Sequence, residues 1–164
     1  MLEQHPIMLD IEASGFGKGS YPIEIGVVLE DGSVHSWLVR PQADWTHWSA
    51  EAESMHGLER ELLVSQGSPI REVAEALNRL LEGRIAYTDG WGFDSTWLAL
   101  LFYHAERRQA FRLESLAAIL SEQQLTHWHR VKDKLRSQQD SAYHRAGPDA
   151  LLLQQAWIKT KAIG

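Results

Sequence analysis

The amino-acid sequence predicts an α/β protein, a mixed sheet with helices packed on it, at the border with the α+β class. Three observations predict it. Strand-like segments open the chain, two of them joined by a tight turn; segments with apolar residues at helical spacing follow; and a short apolar segment, "RIAYT", stands between the helices.

The elements follow in order. "HPIMLDIEASG" reads as a strand bounded by Pro6 and by small turn formers. "PIEIGVVLEDGSVHSWLVRP" reads as two antiparallel strands meeting at Asp31-Gly32, a strong hairpin signal between apolar runs. Residues 41–68, rich in Trp, read as irregular. Ser68 then supplies a cap and Pro69 a first-turn residue for a helix carrying Ile70, Val73, Ala74, Leu77, Leu80 and Leu81, which Gly83 ends. After the "RIAYT" strand, helices are predicted over 94–107, 113–123, 125–137 and 148–161.

A chain of 164 residues is one domain's worth, residues 1–164, and can bury a core without staples. Its 44% apolar and 23% charged content is ordinary for a globular protein. No apolar run reaches the roughly 20 residues needed to cross a bilayer. The N-terminus has no secretory pattern, so no membrane association and a cytoplasmic location are expected. The absence of cysteine excludes disulfides, thiolate metal sites and a cysteine nucleophile. A net charge of −6 argues against coating long nucleic acid. The charge is uneven: residues 1–100 carry 16 acidic and 6 basic side chains, residues 101–164 carry 6 acidic and 10 basic. Gripping a few nucleotides at one end fits these numbers.

Acidic residues interrupt the pattern where apolar ones belong. In the first strand Ile7, Leu9 and Ile11 share one face, and Met8, Asp10 and Glu12 share the other. Two carboxylates about 7 Å apart thus lie along one face of the opening strand. A strand end emerging into solvent would also explain them. Asp94 heads a stripe of Trp97, Leu98, Leu101 and Ala105, with a helix-capping acid as the plain alternative. Asp149 follows Pro148 and heads the stripe Leu152, Leu153, Ala156 and Trp157, again with capping as the alternative. Should these elements converge, four carboxylates share one crevice, and their repulsion and desolvation call for a cation. Mg²⁺ or Mn²⁺ suits oxygen ligands, and two such ions about 3.5–4 Å apart clamp the attacking and leaving oxygens of a phosphodiester displacement.

Three segments, in this order, resemble the DEDDh exonucleases, relatives of the bacterial polymerase III proofreading subunit, oligoribonuclease and ribonuclease T. They are "MLDIEASG", "GWGFDSTWL" and "HRAGPDA"; "MHGLE" at 55–59 is similar to that family's His-Gly-Ile segment. The resemblance covers residues 7 to about 160. It implies a ribonuclease H-like mixed sheet of five strands flanked by helices, with Asp10 and Glu12 on the central strand. It implies Asp10, Glu12, Asp94 and Asp149 as ligands of two Mg²⁺ or Mn²⁺ ions, and His144 as the general base. His144 stands in a loop before Pro148, and imidazole accepts a proton near neutral pH. Ala13, Ser14, Gly15, Phe16, His56, Trp91 and Arg145 are the matching candidates for substrate contact. Two departures leave substrate preference open: Gly90-Trp91-Gly92 stands where the family often has His-Asn, and Ala13-Ser14-Gly15 where it commonly has Thr or Met.

Of the seven Trp, Trp37, Trp97 and Trp157 lie on apolar patterns and read as core, whereas Trp45, Trp48 and Trp91 lie in loop-like sequence. Those three and Phe16 are candidates to stack on a base. "RVKDKLR" at 130–136 reads as a solvated helix face or as phosphate contact; "HWH" at 127–129 reads as structural, since alternate residues on a helix point apart. The expected function is removal of nucleoside 5′-monophosphates from the 3′ end of single-stranded RNA or DNA, short oligonucleotides included. A proofreading exonuclease acting with a polymerase and a non-catalytic nucleic-acid-binding module are the alternatives. The chain ends a few residues after its last helix, which favours a stand-alone nuclease, and the resemblance allows a homodimer.

Overall fold

The computed structural model describes residues 4–163. Strands β1 (Ile7–Ala13), β2 (Pro22–Val28) and β3 (Val34–Leu38) pair as an antiparallel meander. Strands β4 (Ile85–Thr88) and β5 (Arg112–Ser115) add on the other side of β1, parallel to it. The order β3-β2-β1-β4-β5 makes β1 the middle strand of a mixed five-stranded sheet. The helices are α1 (Ala50–His56), α2 (Arg60–Gln66), α3 (Ile70–Leu81), α4 (Trp91–Ala105), α5 (Glu122–Ser137) and α6 (Ala146–Ile163).

Alternation along β1 sorts the helices into two layers. Ile7, Leu9 and Ile11 pack with α3 and α4 on one face, and Met8 packs with α5 and α6 on the other. Between β2 and β3 the turn is the expected one. Gly32 has φ of 84°, and Asp31 Oδ1 accepts hydrogen bonds from the Ser33 N–H at 2.9 Å and hydroxyl at 2.6 Å.

Four expectations are corrected. Residues 41–68 contain α1 and α2, two short helices rather than irregular chain. Trp45 is core: its ring stacks on Tyr21 with centroids 5.3 Å apart, so it offers no face to a base. Ser68 does not cap α3; it pairs with Val39 as a β-bridge, its N–H donating to the Leu38 carbonyl at 2.8 Å. The helix expected over 113–123 is instead β5 followed by a 3₁₀ turn over Leu116–Ile119, because Arg112–Ser115 finds a parallel partner in β4. Trp97 and Trp157 are buried as expected, and Trp37 is half-buried against the core.

One close approach sets the position of α6. Gly26 lies opposite Asp10 in the β1–β2 register, and a Cβ there would fall 2.3 Å from the Ala146 carbonyl carbon. The first turn of α6 therefore rests directly on the sheet. Further along, the Gln154 amide donates to the carbonyls of Leu29 at 2.8 Å and Pro6 at 3.0 Å, tying α6 to the opposite ends of β2 and β1. Among the described residues, no helix is long and apolar enough to cross a membrane.

Candidate active site

β1 delivers Asp10 and Glu12 on the face covered by α5 and α6, while α6, seated on Gly26, brings Asp149 from its first turn. Oxygens of Asp10, Glu12 and Asp149 lie within 4.8 Å of one another. Asp94 sits outside this triple on the same cavity wall, one turn into α4. It is only 4% exposed, and the Thr88 hydroxyl donates to its Oδ2. A first-turn acid turned inward does not cap its helix; its side chain is spent on the cavity.

The cavity is about 240 Å³ and is lined by these four residues together with Asp89, His144, Lys132 and Arg136. Burial makes the carboxylates expensive. Desolvation, then repulsion from Glu12, Asp94 and Asp149, pushes Asp10 well above its usual range. Desolvation and the neighbouring Asp149 push Glu12 up to about 8, and desolvation pushes Asp94 up to about 7 despite the Thr88 bond. Asp149 is also raised by burial, opposed by Arg136 and His144. Converging carboxyl groups whose charge is penalised by burial and mutual repulsion are a donor set for hard divalent cations, which relieve both costs, and the residues present fit Mg²⁺ or Mn²⁺.

His144 is held in place from both sides. Its N–H donates to the Met55 carbonyl at 2.8 Å, and its Nδ1 lies 3.5 Å from Asp149 Oδ2. Before it, the Tyr143 ring lies against Gly57. After it, Arg145 binds Glu24 through two hydrogen bonds of 2.6 and 2.9 Å, and the Ala146 N–H donates to the same carboxylate at 2.9 Å.

The candidates for substrate contact divide. Ala13, Gly15, Phe16 and His56 line the cavity. Ser14, Trp91 and Arg145 do not. Ser14 is fully buried, accepting from the Tyr21 N–H and bonded to His47 Nδ1; Trp91 turns its indole N–H to the Leu113 carbonyl; Arg145 is committed to Glu24. His56 is buried, its Nδ1 accepting the Leu58 N–H at 3.0 Å, and desolvation lowers its pKa.

Sequence reasoning gave no role in the site to Phe93, though it lies in the "GWGFDSTWL" segment, nor to Asp89, Glu24 and Gly26. Phe93 is 52% exposed on the cavity wall, edge-on to Phe16, which is 61% exposed, and stacked on Trp97. Glu24 and Gly26 carried a usable signal: an acid and a glycine inside a fully buried strand.

No family model matches the sequence, and no curated protein sequence matches it. The fold does have counterparts. Escherichia coli exonuclease I in complex with a dT13 oligonucleotide aligns over 98% of this chain with a TM-score of 0.68 and 12% identity. The chain shares with it a ribonuclease H-like fold, a mixed five-stranded sheet flanked by helices. The zinc-bound E. coli exonuclease I–ssDNA complex aligns at TM-score 0.68 and 13% identity, over 97% of this chain and 41% of its own. The moderately thermophilic exonuclease I from Methylocaldum szegediense aligns at 0.64 and 14%, over 98% of this chain. The present chain spans 42% of the length of the first and last of these proteins.

Proposed function

We propose that this chain is a metal-dependent 3′→5′ exonuclease that hydrolyses the terminal phosphodiester of a single strand and releases a nucleoside 5′-monophosphate. The observation that carries the proposal is the convergence of Asp10, Glu12 and Asp149, with Asp94 and His144, on one open cavity of an exonuclease fold. The neighbours bound to single-stranded DNA make DNA the first substrate to test, with RNA beside it.

Asp10, Glu12, Asp94 and Asp149 would hold two Mg²⁺ or Mn²⁺ ions, which supply charge stabilisation for the attacking and leaving oxygens. His144 works with Asp149. A proton on His144 Nδ1 faces the Asp149 carboxylate, so Nε2 is the free acceptor for the proton of the attacking water. The water oxygen bonds to phosphorus, the bond from phosphorus to the 3′ oxygen of the penultimate nucleotide breaks, and that oxygen takes a proton from solvent as His144 returns its own to solvent. The exposed rings of Phe16 and Phe93 are suited to stacking on the terminal base without choosing its identity.

The test is a product ladder on 5′-labelled DNA and RNA strands of several lengths, with Mg²⁺ or Mn²⁺ and with EDTA and Asp149→Ala controls. Stepwise shortening that EDTA and the substitution abolish is expected; strands left intact reject the proposal. His144→Ala should lower kcat by about 10²–10⁴-fold while leaving Mn²⁺ binding in place. Loss of Mn²⁺ binding in that variant would show His144 to be structural.

A further inference from the structure

We infer that Arg136 is a phosphate-binding residue held on Asp149 until divalent ions take that carboxylate. The inference rests on the exonuclease reading above. Arg136 and Lys132 lie four residues apart on α5, on one face of the helix, and both line the cavity. Each contacts an acid: Arg136 Nη1 is 3.3 Å from Asp149 Oδ1, and Lys132 Nζ is 3.4 Å from Asp89 Oδ2.

The contrast with Arg145 gives Arg136 its role. Arg145 grips buried Glu24 with two short bonds and is a strut. Arg136 makes a single long contact, and its side chain keeps 34% of its surface exposed. Most of the five N–H donors of its guanidinium are therefore uncommitted among the described residues, at the edge of the cavity. The fork geometry of those donors matches phosphate oxygens.

The two oxygens of Asp149 face Arg136 and His144, so an ion bound at Asp149 competes with the guanidinium for one carboxylate. Charge then decides where Arg136 goes. Five carboxyl groups and two basic side chains leave the ionised lining negative, which repels a phosphodiester. Two divalent ions reverse that sign. Arg136, displaced from Asp149, finds its new counter-charge in the phosphate of the incoming strand.

This account demands opposite changes from one substitution. Arg136→Gln removes the competitor for Asp149 and also removes a phosphate contact. Calorimetric titration with Mn²⁺ alone should show a Kd several-fold tighter than that of the unsubstituted protein. Fluorescence anisotropy with a single strand whose 3′-terminal linkage is nonhydrolysable, in saturating Mn²⁺, should show binding about tenfold weaker, the size of one charge-assisted hydrogen bond. Arg130→Gln, on the exposed surface of the same helix, should change neither value by more than about twofold, since solvent screens distant charges. If both affinities weaken, Arg136 is a structural prop. If neither changes, or Arg130→Gln reproduces the pattern, the assignment to Arg136 falls while the exonuclease reading stands. If the unsubstituted protein binds no Mn²⁺, both fall.

Discussion

Asp10 lies half-buried in the middle of the sheet, with Glu12, Asp94, Asp149 and Asp89 all raising the cost of its charge. A residue chosen for stability would not be there. Without a cation, an uncharged isostere relieves both the desolvation and the repulsion, so Asp10→Asn should stabilise the protein in EDTA by about 1–3 kcal/mol at pH 8. The same change should abolish tight Mn²⁺ binding and hydrolysis together. Urea unfolding in EDTA beside a Mn²⁺ titration checks both halves. A variant less stable than its parent in EDTA would mean that Asp10 holds the fold together, contrary to the electrostatics derived for it.

At the scale of elements, the position of α6 decides whether Asp149 reaches β1. Gly26 is the contact that permits it, since any side chain there meets the Ala146–Gly147 backbone. Gly26→Ala should cost about 1–3 kcal/mol by overpacking and should shift the first turn of α6 off the sheet. Mn²⁺ affinity should then fall although no carboxylate has been changed. Full affinity in a folded Gly26→Ala protein would show that Asp149 does not depend on this seat. The elements also explain what was legible in the sequence. Asp94 and Asp149 could be singled out because each is an acid at the head of an apolar helical stripe, and Asp10 and Glu12 because they share one face of an otherwise apolar strand, mismatches visible without coordinates. β5 could not, because Leu113, Leu116, Ala117 and Leu120 repeat at helical spacing, and only pairing with β4 overrides that local pattern. The anchoring of His144 was invisible for a different reason. It depends on Met55, Gly57 and Glu24, which lie some ninety to one hundred and twenty residues away in the chain. Nothing within the "HRAGPDA" segment foretells those partners. Ser14 and Arg145 illustrate the limit of carrying roles over by motif: neighbouring residues in one segment part ways, Ser14 into the interior and Arg145 onto Glu24, and neither lines the cavity.

For the whole molecule, the raised carboxyl pKa values make stability run against the usual acid trend. In the folded protein Glu12 titrates at about 8 and Asp94 at about 7, with Asp10 and Asp149 also raised, whereas unfolded carboxyl groups titrate near 4. Between those values the folded state holds more protons than the unfolded one, so raising the pH favours unfolding. The contribution of this cluster is complete below about pH 4 and is lost progressively as pH rises through about 8. Divalent ions bound as proposed would change the sign of that trend, because they would replace the protons and bind better as the protons leave. At a concentration one hundred times Kd, an ion stabilises the folded state by about 2.7 kcal/mol. Thermal unfolding from pH 5 to pH 8 should therefore show a Tm that falls with pH in EDTA, and a gap between the Mn²⁺ and EDTA curves that widens over the same range. The double variant Glu12→Gln, Asp94→Asn should flatten the EDTA curve and close the gap, which separates the cluster from titrating groups elsewhere in the chain. A Tm in EDTA that climbs steadily to pH 8, with no response to the double variant, would mean that these carboxyl groups ionise in the fold as freely as they do in water.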